Sequence, residues 1–280
     1  MYQELIKPFF TDAKNFVLDT LFPIHCLRCD KEGKFICDGC LPQLTRLKDQ
    51  YCITCGRPSP MGFTHPGCKT PHCADGLVSI LNYHDESVSN ILIKGKYNFL
   101  PDVYKILGKM VAAELQSNFL ISQFPNFHLV PIPLSSRRQR WRGFNQAEVL
   151  CEAIGKELSL PVMDALVRCK STKIQKDVKK REDRIRNVSG AFSLAHTIFP
   201  SPIHGEGAPS ASDPFGNTQG RLERSRDGEG RERLNISTIR DRNFILLDDV
   251  TTTGSTLLEA AKVLKRNGAS SVWCLTVARD

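Results

Sequence analysis

Apolar and polar positions change rhythm along the chain. From Gly76 onward, short apolar runs alternate with longer amphipathic stretches. GLVSILNY at 76–83, HLVPIPL at 128–134, FILLDDV at 244–250 and SVWCLTVA at 271–278 have strand length. Between them, VYKILGKMVAAELQSNFL at 103–120, NQAEVLCEAIGKEL at 145–158 and STLLEAAKVLKRNG at 255–268 repeat apolar residues at helical spacing. Residue Gly268 supplies a helix stop, and in 145–158 the apolar face is Ala147, Leu150, Cys151, Ile154 and Leu158. Strands alternating with helices predict an α/β fold with a parallel sheet.

Three segments depart from that rhythm. Residues 1–25 read as a short amphipathic lead-in, with Leu5, Phe9, Phe16, Leu18 and Leu21 between charges. Residues 26–75 are rich in Cys, Gly and Pro, and a module of this size usually needs a metal or a staple. Between about 196 and 235 the chain is rich in Gly, Ser, Pro, Arg and Glu. Such a composition buries too little apolar surface to offset ordering entropy, so a disordered surface insertion is expected there. The predicted organisation is therefore a small Cys-rich domain at 26–75 and an α/β domain over 76–280.

Composition is that of a globular chain of 280 residues, 41% hydrophobic and 24% charged. No run approaches the ~20 apolar residues of a membrane span. Charges interrupt the N-terminal stretch before any secretory apolar region forms, so a cytoplasmic protein without membrane insertion is expected. The net charge of +8 is concentrated: from Arg137 to Arg186 there are fourteen Lys/Arg against seven Asp/Glu. That stretch is either a solvated helix face or a surface for an anionic partner.

Eight of the eleven cysteines lie in the first 73 residues. Cys26 and Cys29, then Cys37 and Cys40, form two C-x-x-C pairs; Cys52 and Cys55 form a third, and Cys68 and Cys73 follow with a gap of four. In a reducing compartment such pairs are metal ligands more often than disulfides. Two tight turns can complete one tetrahedral sulfur site, so the eight residues predict two closed, structural zinc ions. His65 and His72 are spare candidate ligands for the second ion, and pairing across the two quartets remains open.

The richest stretch for chemistry is Asp248-Asp249-Val-Thr251-Thr252-Thr253-Gly254-Ser255-Thr256. An apolar strand delivers two carboxylates, and a Thr/Gly/Ser turn then enters a helix N-terminus. Successive amides and the positive helix end suit a phosphate. The carboxylates suit vicinal ribose hydroxyls, so the chemistry points to a ribose 5-phosphate. Thr256 and Glu259 also have capping-box spacing, which would serve the helix alone.

LLDDVTTTGST resembles the phosphoribosyl-pyrophosphate (PRPP) motif of type I phosphoribosyltransferases. Together with the paired cysteines, Lys96-Tyr97, VPIPLSSRRQRWRGFNQAE at 130–148 and RNVSGAF at 186–192, the chain is similar to the ComF family of competence-associated proteins. The resemblance implies a zinc ribbon pair followed by a Rossmann-like phosphoribosyltransferase domain; the insertion at about 196–235 departs from the compact family pattern and falls where a short hairpin connection is expected, so it bears on the substrate hood more than on the phosphate site. It implies that Asp248 and Asp249 hold the ribose hydroxyls and that Thr251, Thr252, Thr253, Gly254, Ser255 and Thr256 cradle the 5-phosphate. The turn with Ser135, Ser136, Arg137 and Arg138 would contact pyrophosphate and its Mg2+; arginine forks suit phosphate oxygens. Hypoxanthine-guanine-type enzymes carry an Asp where this chain has Thr252, so no acceptor is named.

Neighbouring residues have double readings. Asn145-x-x-Glu148 has capping-box spacing, Trp141 and Phe144 suit core or hood packing, Arg142 and Lys96 lie either at the substrate or on the surface, and Tyr97 lies either at the substrate or in the core. Three functions are compatible with these residues: a Mg2+-dependent phosphoribosyltransferase, a PRPP-binding module that handles single-stranded DNA with the competence machinery, and a non-catalytic zinc-ribbon adaptor on a degenerate fold. The intact acidic and threonine-rich turn argues against the last.

Overall fold

A computed structural model describes residues 23–117, 126–170, 181–195 and 239–280. Most of the lead-in and the expected insertion at about 196–235 lie outside the described residues. Among the described residues, β1 (Gly76–Asn82), β2 (Phe127–Pro131), β5 (Asn243–Thr251) and β6 (Ser271–Arg279) form one parallel sheet in the order β1-β6-β5-β2. The helices α1 (Glu86–Tyr97), α2 (Pro101–Ser117), α3 (Ser136–Arg142) and α4 (Gln146–Leu158) follow the first two strands. A two-stranded antiparallel hairpin, β3 (Leu166–Arg168) and β4 (Phe192–Leu194), brackets α5 (Arg181–Val188); α6 (Ser255–Arg266) joins β5 to β6. The fold is α/β, as the alternating pattern predicts.

The central strands are apolar throughout because helices cover both faces. On one face, Leu129, Ile245, Leu247 and Leu275 meet Leu107, Val111, Leu150 and Ile154 of α2 and α4. On the other, Leu246, Phe244 and Val272 meet Leu257, Ala260, Ala261 and Leu264 of α6. The sequence pattern misses α1. Asp85 caps it, accepting from Ser87 N and Val88 N, but Gly95 interrupts its apolar face. The glycine is there because the Tyr104 ring lies against it: a Cβ would stand 3.1 Å from Tyr104 Cε2.

The Cys-rich segment continues the sheet rather than standing apart from it. Leu47 N donates to Ile80 O at 2.8 Å and Asn82 N to Thr45 O at 3.0 Å. Gln50 bonds Ser79 twice, Nε2 to the carbonyl and Oε1 from the amide, both at 2.9 Å. An antiparallel bridge joins Phe63 to Gly76, and the Phe63 ring meets Trp273 edge to face at 4.8 Å. The outer edge of β1 is thereby occupied. The two halves of the segment then part: Cys26, Ile36, Cys40 and Leu44 join the apolar cluster of the α2 and α4 face, whereas Ile53 and Ala74 join that of the α6 face.

Gly62 makes the close approach possible. Its φ is +78°, and a Cβ there would overlap the Leu77 carbonyl oxygen. Gly62→Ala is therefore expected to cost about 1–3 kcal/mol in urea unfolding. Gly39→Ala, where a Cβ meets nothing within 4 Å, is the control and should change stability by less than about 0.5 kcal/mol.

Candidate functional site

Two groups of metal-ligating side chains occur among the described residues. In each, the ligand atoms lie within 4.8 Å of one another. The first is Cys26, Cys29, Cys37 and Cys40, the quartet expected from spacing. Its knuckles aim amides at sulfur: Cys37 N lies 3.5 Å from Cys26 Sγ. Burial opposes the Cys26 thiolate, but the amides of Cys29, Cys37 and Arg28 outweigh it and bring the thiol down to about 6. Burial and the neighbouring thiols push Cys40 up to about 12. Four thiolates so close together cannot all ionise without a cation among them, which is the electrostatic condition a divalent ion relieves.

The second group departs from the spacing argument. It contains Cys52, Cys55, His65 and Cys68, and neither Cys73 nor His72 belongs to it. The reason is local geometry. His65 and Cys68 share one tight turn, with Cys68 N donating to His65 O at 2.8 Å. His65-Pro-Gly-Cys68 thus repeats the two-residue gap of the C-x-x-C pairs, a signal present in the sequence. Cys73 instead closes its own turn, its sulfur accepting from Thr70 N at 3.2 Å. His65 Nδ1 stands 3.3 Å from Cys55 Sγ, while Nε2 lies 3.1 Å from Pro58 O. A carbonyl only accepts, so Nε2 carries the proton and the Nδ1 lone pair faces the sulfurs, the arrangement a ligand needs. Both donor sets fit tetrahedral zinc.

The second constellation lies at the carboxyl ends of β5 and β2. Strand β5 carries Asp248, half-buried, and Asp249, buried, two residues before its end at Thr251. Lys96 at the end of α1 reaches across to Asp249, Nζ to Oδ2 at 2.6 Å. Burial and the adjacent Asp249 carboxylate push Asp248 up to about 7, against the opposing pull of Lys96. The chain then turns through Thr251, Thr252 and Thr253 to Gly254, the left-handed N-cap of α6 at φ +72°. No side chain caps this helix, and Thr253 Oγ1 lies 3.1 Å from Ser255 Oγ. The helix starts at Gly254 with no side-chain cap, so the capping box anticipated for Thr256 and Glu259 does not form; Glu259 accepts from Gly190 N, just beyond α5, at 2.8 Å.

Beyond β2, Ser135 caps α3, accepting from Arg138 N at 3.4 Å. Ser136 and Arg137 are exposed, and Arg138 and Arg142 are half-buried. Burial and the charge of Arg142 lower Arg138, with Asp248 opposing. Arg168 on β3 is lowered by burial and by Arg138, again opposed by Asp248. Arg138 is thus within electrostatic reach of Arg142, Arg168 and Asp248. Sequence reasoning missed Arg168 as a site residue; its only signal was a basic residue closing a short apolar run.

Several double readings resolve. Asn145 is structural: it is buried, its side chain accepts from Ala147 N, and it donates to Ile132 O and Glu148 Oε1, each at 3.1 Å. Phe144 packs against Tyr104. Trp141 is 52% exposed, flanked edge to face by Tyr97 at 5.8 Å and Phe99 at 5.3 Å, themselves 48% and 47% exposed. No helix among the described residues is long and apolar enough to cross a membrane.

Comparison with known proteins agrees with this two-part architecture. Residues 17–75 match the double zinc ribbon domain family, and residues 206–280 match the phosphoribosyl transferase domain family. The chain is 27% identical to DNA utilization protein YhgH of Escherichia coli over 86% of its own length and 89% of that protein's. It is 26% identical to competence protein F of Haemophilus influenzae over 91% and 96% of the two chains. With competence protein ComFC of Bacillus subtilis the identity is 27%, over 89% and 86%. The chain thus joins a double zinc ribbon domain to a phosphoribosyl transferase domain, and it counts competence protein F, ComFC and YhgH among its homologues over most of its length.

Proposed function

We propose that the chain binds PRPP with Mg2+ at the carboxyl ends of β5 and β2, as a phosphoribosyltransferase-like protein in a competence-related role. The observation that carries this reading is the turn between β5 and α6: left-handed Gly254 begins α6 with no side chain capping its first turn, beside buried Asp249. Across the corner, Arg138 is lowered by burial and by the charge of Arg142. Repelling, partly desolvated guanidiniums are relieved by a multiply charged anion. In this assignment Asp248 and Asp249 accept hydrogen bonds from the ribose hydroxyls. Thr251–Thr256 receive the 5-phosphate, and Ser135–Arg138 receive the pyrophosphate. Mg2+ supplies charge neutralisation there, held mainly by phosphate oxygens and water. In the transfer, the bond from ribose C1 to pyrophosphate would break as a nucleophilic acceptor bonds to that carbon through an oxocarbenium-like transition state, and the arginines would stabilise the charge that accumulates on the leaving group.

A second property, handling of single-stranded DNA, is supported by the Tyr97–Trp141–Phe99 cluster. Single-strand binding combines basic groups with exposed aromatic faces on which bases stack. Arg137 and Arg140 are exposed on the helix that carries Trp141. The aromatic partners are thus Tyr97 and Phe99 rather than Phe144. The names of the relatives, DNA utilization protein and competence protein, agree with this assignment.

PRPP with Mg2+ at about a hundredfold its Kd should raise the Tm by about 5–10 °C, and Asp248→Ala with Asp249→Ala should abolish the shift. The working form of Asp248 is the carboxylate, whose proton leaves near 7 rather than near the ordinary 3.8. The PRPP shift should therefore be full at pH 8 and shrink as pH falls through 7. Without ligand the sign reverses: the native state keeps a proton that the unfolded chain has lost, so this group's contribution to stability falls as pH rises between those two values.

Metal analysis should find about two zinc ions per chain. His65→Ala or Cys68→Ala should leave about one; Cys73→Ala should leave the wild-type content, and loss of an ion there would restore Cys73 as a ligand.

Single-stranded oligonucleotide should quench the fluorescence of exposed Trp141 while buried Trp273 stays silent, with binding that weakens steeply in salt. Trp141→Ala should cost about 1–3 kcal/mol of binding.

A further inference from the structure

The residue that backs the phosphate turn does not come from the phosphoribosyl transferase domain. Gly254 holds the left-handed conformation between β5 and α6. A Cβ on it would stand 2.7 Å from Ile53 Cγ1, and 3.4 Å from both Ile53 Cδ1 and the Ile53 carbonyl oxygen. Ile53 lies inside the knuckle between Cys52 and Cys55, two members of the second metal-ligating group. It is 2% exposed and packs in the apolar cluster that includes Leu257, Ala260 and Ala261 of α6. The knuckle is tight: Cys52 N donates to Arg57 O and Gly56 N to Cys52 O, each at 2.9 Å.

Two further ties hold the same region. The Arg279 guanidinium lies 4.7 Å from the Tyr51 ring centroid, one residue before Cys52. Asp280 N donates to Thr251 O at 2.9 Å, at the start of the turn. The metal knuckle, the end of β6 and the phosphate turn therefore share contacts. The buried residues of the first metal group, Cys26 and Cys40, belong instead to the cluster on the opposite face of the sheet.

We propose that Ile53 is a positioning residue for the phosphate turn, and that metal retention at Cys52, Cys55, His65 and Cys68 is coupled to PRPP binding. The inference rests on the assignment of Thr251–Thr256 to the PRPP 5-phosphate. Its physics is preorganisation. A glycine at positive φ has unusually free alternatives, and a turn that must be ordered on binding loses affinity to that ordering. Ile53 fills the space on the far side of Gly254 and removes the alternatives beforehand. Coupling between two sites is reciprocal. If the metal holds the knuckle and the knuckle holds the turn, an occupied turn must hold the metal.

The test uses the full zinc-loaded chain and Mg2+ with PRPP as ligand. Calorimetric titration compares wild type, Ile53→Val, Ile53→Ala and Gly254→Ala, with zinc content measured on each. Ile53→Ala should lose about tenfold in PRPP affinity while keeping the wild-type zinc content, and Ile53→Val should restore most of it. Gly254→Ala perturbs the same contact from the other side and should weaken binding as well. In wild type, saturating PRPP should slow chelator extraction of one zinc and leave the other unchanged. Unaltered PRPP affinity in a folded Ile53→Ala chain, or zinc release indifferent to PRPP, overturns the proposal while leaving the PRPP site standing. Should Ile53→Ala not fold, the zinc-release comparison on wild type decides alone. A wild-type chain that does not bind PRPP at all sinks the underlying assignment, and this coupling with it.

Discussion

The outer edge of β1 is the constraint on which the architecture turns. A parallel sheet whose edge strand shows bare amides and carbonyls invites pairing with another chain, and here the Cys-rich segment takes that place. It runs beside β1 from Thr45 to Gln50 and returns at Phe63, bonding the strand at Ser79, Ile80 and Asn82. The dependence is mutual. A ribbon of about fifty residues buries little core of its own, so its stability comes from ligand groups that cross-link it and from the sheet against which it lies.

This arrangement explains why the two metal groups are not equivalent. Straddling one edge, each half of the ribbon meets a different face of the sheet. The first half packs in the cluster that holds residues of α2 and α4. The second packs on the face that carries α6, the helix whose first turn follows Gly254. Proximity to chemistry is thus a consequence of which face each half covers, not of any difference in ligand type.

Legibility in the sequence followed the length of the signal. The strands β1, β2, β5 and β6 and the helices α2, α4 and α6 were readable because buried parallel strands are apolar throughout and the helices repeat over three turns or more. Helix α1 was hidden by Gly95, whose reason is the Tyr104 ring more than a helical turn away along the chain. The strands β3 and β4 have three residues each, too few for a period to register. Arg168 was hidden with them. At the second metal group, His65-x-x-Cys68 has the gap of a C-x-x-C pair, but four cysteine pairs already supply eight ligands for two ions, so His65 ranks only as a spare beside Cys73 until its turn with Cys68 is formed.

The acid corner shows why a short motif is a better guide to chemistry than the basic stretch around it. Asp248 is adjacent to Asp249 in sequence, so their repulsion is built into the chain whatever the fold, and burial at the strand end only enlarges it. The cations that answer it come from three separate elements: Lys96 from the end of α1, Arg138 from α3 and Arg168 from β3. Only the closed sheet brings them together. Lys96 pairs with Asp249, and Arg138 feels both the repulsion of Arg142 and the attraction of Asp248. The motif fixes where the two acids stand; the fold decides which cations reach them.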